Sequence, residues 1–81
     1  MNSYFSYGAH CASKEERAIY QKLNAQMNTL DDERVDKTME SIGAYIWADS
    51  TERKRAYSKV YRIAKRFGVR VNDLVTWYCM D

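Results

Sequence analysis

Apolar residues recur every three or four positions through most of this chain, which is the spacing of one face of an α-helix. The first series with this spacing consists of Ile19, Leu23, Met27 and Leu30. Ser13 precedes the series and Glu16 follows Ser13 by three residues, which is the arrangement of an N-terminal capping box. The pattern predicts a first helix that runs from about Lys14 to Leu30.

A second apolar series predicts a second helix that ends near Ala48. Its members are Val35, Met39, Ile42 and Ile46, with Trp47 beside them. Asp31 or Asp32 provides an N-cap oxygen, and further acidic residues occupy the first turn, where the helix dipole favours negative charge. We expect the apolar stripe, including Trp47, to face the core rather than a membrane surface or a partner.

Two more helices are predicted in the second half of the chain. The sequence Asp-Ser-Thr at 49–51 supplies N-cap oxygens for a third helix. The apolar stripe of this helix is Ala56, Val60, Ile63, Ala64 and Phe67. Gly68 ends it, because glycine readily adopts the left-handed conformation of a helix C-cap. The residues Val71, Leu74, Val75 and Tyr78 then predict a short fourth helix that reaches the chain end.

Composition supports an all-α fold with one core. The 81 residues include no proline and three glycines, so few positions force a break in a helix. A chain of this length can bury one hydrophobic core and not two. We therefore expect a compact bundle of three main helices plus a short C-terminal helix. Residues 1–12 show no clear period and are assigned to an N-terminal arm, and residues 13–81 to a single helical domain.

Charge is distributed unevenly along the chain, although the net charge is only +2. Residues 51–70 carry eight basic side chains and one acidic side chain, a net charge of +7 within twenty residues. A block of this size is an electrostatic feature in its own right. The basic residues, which flank the apolar stripe of the third predicted helix or follow it, are Arg53, Lys54, Arg55, Lys59, Arg62, Lys65, Arg66 and Arg70.

The stretch from Val60 to Cys79 resembles the helix-turn-helix of DNA-binding regulators and recombinases. In that motif a small residue in the first helix lets the second helix approach. A glycine four residues later turns the chain, and apolar residues further on hold the two helices together. The residues at these places are Ala64, Gly68, Val69, Leu74 and Trp77. The resemblance implies that the last two helices form a helix-turn-helix-like corner, whereas the same residues would also suit an ordinary helical hairpin.

The resemblance also implies roles for individual residues. The side chains that would project from the second helix of the motif towards base edges are Arg70, Val71, Asn72, Val75 and Thr76. Among them, Asn72 would read adenine and Arg70 would contact guanine or a phosphate. Thr76 and the two valines would meet a thymine methyl group. The side chains that would hold phosphates are Arg53, Lys54, Arg55, Arg62 and Lys65.

Other features fit a protein partner as well as they fit DNA. Asp73 adds negative charge to the supposed recognition helix, and Val71 and Val75 make its outer face apolar. An apolar patch around Val71, Val75 and Tyr78, bordered by charge, would suit a protein interface. The tyrosines at 57 and 61 would either stack on bases of single-stranded nucleic acid or form the half-buried rim of the core.

Catalysis, metal binding and membrane insertion are not expected. His10 lies beside Cys11, but one histidine and two cysteines without a recognised ligand spacing cannot complete a tetrahedral metal site. No orienting group or oxyanion site accompanies them, so we expect no enzymatic activity and no cofactor. The chain lacks a run of about 18 apolar residues and an N-terminal signal peptide, which predicts a cytoplasmic protein with Cys11 and Cys79 as free thiols.

These observations lead to two functional hypotheses. The first is a small non-enzymatic DNA-binding protein, either a transcription regulator or an accessory factor, that acts on double-stranded DNA through its C-terminal half. The second is a small interaction factor or inhibitor, of the kind found in phages and mobile elements, that docks on a larger protein such as a nucleic-acid enzyme. A lone helix-turn-helix usually needs a second copy for useful specificity, so a homodimer is also open.

Overall fold

Four α-helices account for most of the residues that the structure describes. The computed structural model describes residues 13–80, and within this range it contains no β-strand. The helices are α1 (Lys14–Asn28), α2 (Asp32–Ile46), α3 (Arg53–Phe67) and α4 (Val71–Cys79). The expected all-α bundle of three main helices and a short fourth is therefore confirmed. The N-terminal arm assigned to residues 1–12 lies outside the described range.

Short polar side chains cap the first two helices and stabilise the turn before the third. The Ser13 hydroxyl accepts a hydrogen bond from the Glu16 N–H at 3.3 Å, and the Asp31 carboxylate accepts one from the Arg34 N–H at 2.9 Å. In the turn before α3, Oδ1 of Asp49 accepts hydrogen bonds from the backbone N–H groups of residues 51 and 52 and from the Thr51 hydroxyl. The predicted caps of α1 and α2 are confirmed. The prediction that residues 49–51 cap α3 is wrong, because its N-cap is Glu52, which makes no side-chain capping hydrogen bond, and Asp49 instead stabilises the preceding turn.

Two helices end about two residues earlier than the apolar spacing predicts. α1 ends at Asn28 because Thr29 closes it: its N–H and its hydroxyl both donate to the Gln26 carbonyl, the hydroxyl at 2.6 Å. α2 ends at Ile46, and Trp47 is its C-cap. Apolar spacing cannot locate these ends, because the residues that close a helix bind backbone carbonyls rather than the core.

Trp47 does not belong to the core, contrary to the prediction. Its side chain is 84% exposed, whereas Ile42 of the same stripe is fully buried. Trp47 follows Ile42 by five residues, and since an α-helix has 3.6 residues per turn, this rotates it by about 140° from the buried face. Its neighbour Ile46 remains close to that face and is partly buried. Adjacency in sequence to an apolar stripe was therefore a poor guide to the direction of this side chain.

The core lies where α4 meets the other three helices. Its buried apolar residues are Tyr20, Leu23, Met27, Val35, Ile42, Val60, Ile63, Ala64, Phe67, Leu74 and Trp77. The Trp77 ring is completely buried, and its indole N–H donates a hydrogen bond of 2.8 Å to the Asn24 side-chain oxygen. Asn24 is itself buried, so this bond satisfies a polar group that would otherwise be costly inside the core.

α3 ends in a left-handed turn at Gly68, as predicted. Gly68 has φ 73° and ψ 33°. Its N–H donates to the Lys65 carbonyl and the Val69 N–H donates to the Ala64 carbonyl, which is the hydrogen-bond pattern of a Schellman motif. The ammonium group of Lys22 on α1 donates to the Gly68 carbonyl at 3.2 Å. This turn directs the chain back into α4 after only three connecting residues, 68–70.

We expect Gly68→Ala to destabilise the protein by about 1–2 kcal/mol, because a side chain makes the left-handed conformation unfavourable. The added Cβ would also lie 2.8 Å from the Lys22 ammonium, but that long side chain can move. Gly68→Asn is the control, since asparagine tolerates the left-handed region better than alanine does. Thermal unfolding should show a loss of several degrees for alanine and a smaller loss for asparagine. Equal melting temperatures for all three proteins would contradict the proposed turn.

A second glycine allows α2 and α4 to approach closely. Gly43 on α2 is buried, and a Cβ at this position would lie 2.9 Å from the Tyr78 hydroxyl oxygen on α4. That distance is shorter than a normal van der Waals contact, so a larger residue would force the tyrosine aside. The pair defines how closely α4 can pack against α2.

The double-mutant cycle of Gly43→Ala and Tyr78→Phe tests this contact. In the wild-type background alanine gains about 1 kcal/mol of helix propensity but clashes with the tyrosine oxygen. In the phenylalanine background the clashing oxygen is absent. We expect Gly43→Ala to be less favourable in the wild-type background by about 1 kcal/mol or more, measured by urea unfolding. The same effect in both backgrounds would show that the two residues do not meet.

Candidate nucleic-acid interface

A concave surface joins α3 to the beginning of α4. The residues that line this corner concavity are Tyr57, Tyr61, Ala64, Lys65, Val69, Arg70, Val71 and Asn72. Four of them, Lys65, Arg70, Val71 and Asn72, belong to the set that the sequence predicted to bind nucleic acid or a partner. Residues expected to contact base edges and a residue expected to contact phosphates thus lie together.

A second concavity continues this surface towards the beginning of α3. It is lined by Tyr45, Ser50, Arg53, Lys54 and Tyr57. Tyr57 lines both concavities, so together they form one continuous face. We call it the tyrosine face and define it by the residues Tyr45, Arg53, Lys54, Tyr57, Tyr61, Lys65, Arg70 and Asn72.

Three tyrosine rings form a row along this face, with a basic side chain at each end. The ring centroids of Tyr45 and Tyr57 are 5.8 Å apart, and those of Tyr57 and Tyr61 are 6.1 Å apart. The Arg53 guanidinium lies 5.2 Å from the Tyr45 centroid, and the Lys65 ammonium lies 5.6 Å from that of Tyr61. Attraction between a cation and an aromatic ring holds both charges at the surface in a preferred position.

The tyrosines on α3 remain accessible. Tyr57 is 43% exposed and Tyr61 is 46% exposed, while Tyr45 is partly buried against the core. Each of the two exposed rings therefore lies at the edge of the protein with part of its surface open to solvent. Stacking on nucleic-acid bases stays a prediction, and it would use these two rings.

The opposite flank of α3 carries other basic residues of the predicted set. Arg55 and Lys59 line a groove between α2 and α3, together with two acidic residues, Glu40 and Glu52. Arg62 and Arg66 are exposed on α3 but line neither this groove nor the tyrosine face. The eight basic residues are thus divided between surfaces, and only Arg53, Lys54, Lys65 and Arg70 belong to the tyrosine face.

The predicted contact residues further along α4 are less accessible. Val75 and Thr76 are partly buried and line neither concavity of the tyrosine face. Val71 and Tyr78 are also partly buried and pack against the core. Among residues 13–80, the large apolar side chains that are most exposed are Trp47, Tyr57 and Tyr61. The apolar patch expected around residues 71, 75 and 78 is therefore mostly covered.

Asp73 is paired with Arg70 at the start of α4. Its carboxylate accepts two hydrogen bonds from the Arg70 guanidinium, from Nε at 3.1 Å and from Nη2 at 3.0 Å, and a third from the Arg70 backbone N–H at 3.3 Å. The side-chain bonds, and to a lesser extent the backbone bond and the positive charge, hold the pKa of Asp73 below its ordinary value, although burial acts in the opposite direction. The sequence had suggested that Asp73 adds negative charge to this helix, whereas its carboxylate is paired with the neighbouring guanidinium.

Within residues 13–80 no three or more histidine, cysteine or acidic side chains are arranged to hold a metal ion. His10 and Cys11 lie outside this range, and Cys79 carries a free, exposed thiol. None of the four helices combines the length and the apolar composition that crossing a lipid bilayer requires.

The lowered pKa predicts how stability depends on pH. Because the pKa of Asp73 is lower in the folded protein than its ordinary value of 3.8, its ionised form stabilises the fold at neutral pH. This stabilisation is lost as the pH falls through the lowered pKa. Asp73→Asn should therefore reduce stability at pH 7 and lose less stability on acidification than the wild type. Arg70→Ala should show the same weaker pH dependence, and unchanged curves for both variants would contradict the pairing.

Comparison with known proteins does not identify a relative. No protein-family model, curated protein or solved structure matches this chain. The tyrosine face is the surface on which residues predicted to contact bases and residues predicted to contact phosphates lie together.

Proposed function

We propose that this protein is a small non-enzymatic factor that binds double-stranded DNA, as a regulator or accessory protein, with the beginning of α4 in the major groove. The observation that carries the proposal is the corner concavity. There Arg70 and Asn72, which can address base edges, share one surface with Lys65, which can address a phosphate. A DNA-binding role requires a location that contains DNA, such as the cytoplasm expected from the sequence.

The corner between α3 and α4 supports this proposal. Ala64 is buried where the two helices meet, and Gly68 turns the chain with a positive φ. Leu74 and Trp77 are completely buried and hold α4 against the rest of the protein. These residues occupy the spacing of a helix-turn-helix, in which a short second helix is fixed so that its first residues can reach base edges.

The distribution of side chains suggests how DNA would be held. A major groove admits one α-helix, and α4 would offer it Arg70 and Asn72, which are both exposed. Arg53, Lys54 and Lys65 would contact phosphates beside the groove, and the tyrosine hydroxyls could donate hydrogen bonds to the same groups. Val75 and Thr76 are partly buried, so they would contribute less to base contacts than the sequence suggested.

A protein partner is a second candidate, favoured by Trp47. This large side chain is 84% exposed at the end of α2. The nearby groove between α2 and α3 includes Ala44, Ala48 and Ala56, so an apolar contact could extend from the tryptophan. In this case the protein would dock on a larger protein such as a nucleic-acid enzyme. Binding through this surface would depend on Trp47 and would survive high salt.

The first test is binding to mixed-sequence duplex DNA, measured by fluorescence anisotropy at about 50 and 200 mM salt. Three phosphate contacts predict that affinity falls roughly fortyfold between these concentrations, because bound counterions are released from the DNA. We expect micromolar binding at low salt and almost none at high salt. No binding at low salt would reject the DNA proposal and leave the protein partner as the better candidate.

Matched double substitutions then test the surface itself. Lys54→Ala with Lys65→Ala removes two charges from the tyrosine face, and Arg55→Ala with Lys59→Ala removes two charges from the opposite flank of the same helix. The first variant should lose much of its DNA affinity, and its salt dependence should weaken by about one unit of slope for each lost contact. The second should bind nearly as tightly as the wild type. Equal losses in the two variants would show that DNA does not select this face.

A further inference from the structure

We infer that Arg70 reads guanine, and that Asp73 holds its guanidinium in the orientation that this requires. The inference rests on the proposed function, because it concerns the same surface and the same duplex. It adds a chemical preference: the DNA site contains a guanine at a fixed position opposite the beginning of α4. Asp73 is then a positioning residue, which acts on the base through Arg70.

The geometry of the pair determines which hydrogen-bond donors remain free. A guanidinium group has five N–H donors in one plane. Asp73 occupies the edge formed by Nε and Nη2, since its two oxygens accept from these atoms at 3.1 and 3.0 Å. The remaining donors include one N–H of Nη2 and one of Nη1, which point away from the carboxylate side by side. This free fork has the geometry for a second bidentate contact.

Exposure shows which end of the pair is fixed and which is open. The Asp73 side chain is only 13% exposed, and its carboxylate also accepts the Arg70 backbone N–H at 3.3 Å. The Arg70 side chain is 77% exposed. A partly buried carboxylate that is tied to the backbone therefore holds one edge of an arginine whose other edge faces solvent. The arginine side chain therefore has fewer rotamers to lose when its open edge binds a ligand, so binding costs less conformational entropy.

The charge of the pair favours a base edge over a phosphate. Attraction to a phosphate depends on net positive charge, and a carboxylate beside the arginine cancels most of it. A guanine edge is uncharged and presents two acceptors, O6 and N7, to the major groove, which match a bidentate arginine. The charges suited to phosphates lie on α3, where Arg53 and Lys65 are held against tyrosine rings instead of a carboxylate. Arg70 is therefore better suited to recognise a base than to add general affinity for the DNA backbone.

The location of Arg70 agrees with this role. It is the N-cap residue of α4 and lines the corner concavity beside Asn72. The proposed docking brings this end of α4 to the base edges, with Asn72 suited to a neighbouring adenine. The recognised site would therefore contain a guanine, with an adenine close to it.

The experiment begins with selection of duplexes from a randomised pool by the wild-type protein. Each guanine of the selected site is then replaced by 7-deazaguanine, which lacks the N7 acceptor, or by inosine, which keeps O6 and N7 but lacks the minor-groove amino group. We expect 7-deazaguanine at one position to weaken binding about tenfold, as the loss of a bidentate contact should, and inosine at that position to have little effect. Inosine is the matched control, since it alters the other groove.

Three variants connect this effect to the pair. Arg70→Ala should bind guanine and 7-deazaguanine duplexes equally, because alanine has no donor. Arg70→Lys should discriminate less than the wild type, because an ammonium group lacks the planar fork. Asp73→Asn keeps the arginine but frees its charge, so we expect weaker discrimination together with unchanged or tighter binding to unselected DNA. A purely structural role of Asp73 would lower affinity for both duplexes alike and leave their ratio unchanged. Circular dichroism identifies any variant that fails to fold.

The failures of the two proposals are distinguishable. Duplex binding by the wild type without any sensitivity to 7-deazaguanine would overturn the role of Arg70 and leave the proposed function intact. A uniform loss of affinity in Arg70→Ala, with a salt slope smaller by about one unit, would assign Arg70 to a phosphate and also overturn the inference. No duplex binding by the wild type would reject the proposed function, and the guanine contact with it.

Discussion

The burial of Trp77 is the constraint on which the C-terminal half of the structure depends. α4 has nine residues, fewer than an isolated helix needs to be stable in water, so its position must come from packing. Trp77 supplies the largest fully buried side chain, and its indole N–H reaches α1 through the bond to Asn24. The end of α3 is tied to α1 by Lys22 and Gln26, which donate to the carbonyls of Gly68 and Phe67. α1 thus holds both sides of the turn that precedes α4.

Because packing holds α4 in place, the residues of the corner concavity have a fixed orientation. A helix that could slide or rotate would present its first residues in many orientations, whereas one anchored by Trp77 and Leu74 presents them in one. The turn at Gly68 sets the distance between the helices, and the contact of Gly43 with Tyr78 limits the approach of α4 to α2. Arg70 and Asn72 are therefore carried on a rigid element although they are exposed.

The apolar pattern was sufficient for the helices and for most of the core, because repeated burial on one face is a local property of the sequence. Together with the polar residues and the glycine that flank it, the pattern located the caps of α1 and α2, the turn at Gly68 and the buried stripe of α3. It could not indicate which polar residues would be buried. Asn24 and Trp77 are 53 positions apart in sequence, so their bond exists only once the helices have packed.

The candidate site was less predictable than the fold for a related reason. The sequence identified the basic residues but treated them as one group, since charge alone does not specify direction around a helix. The row of tyrosines includes Tyr45 from α2, which no local pattern connects to Tyr57 on α3. The pair of Asp73 and Arg70 lies within one helical turn and matches a known capping arrangement, so this feature was available to sequence reasoning and was missed.

The unequal environments of the two tryptophans give the protein a natural optical label. Indole emission shifts to longer wavelengths when water surrounds the ring, so the fully buried Trp77 and the largely exposed Trp47 should contribute distinct bands. Without Trp47, the remaining band would come from α4 alone. The emission wavelength of Trp77 would then report when α4 leaves the core. That event could be compared with the unfolding of the other three helices.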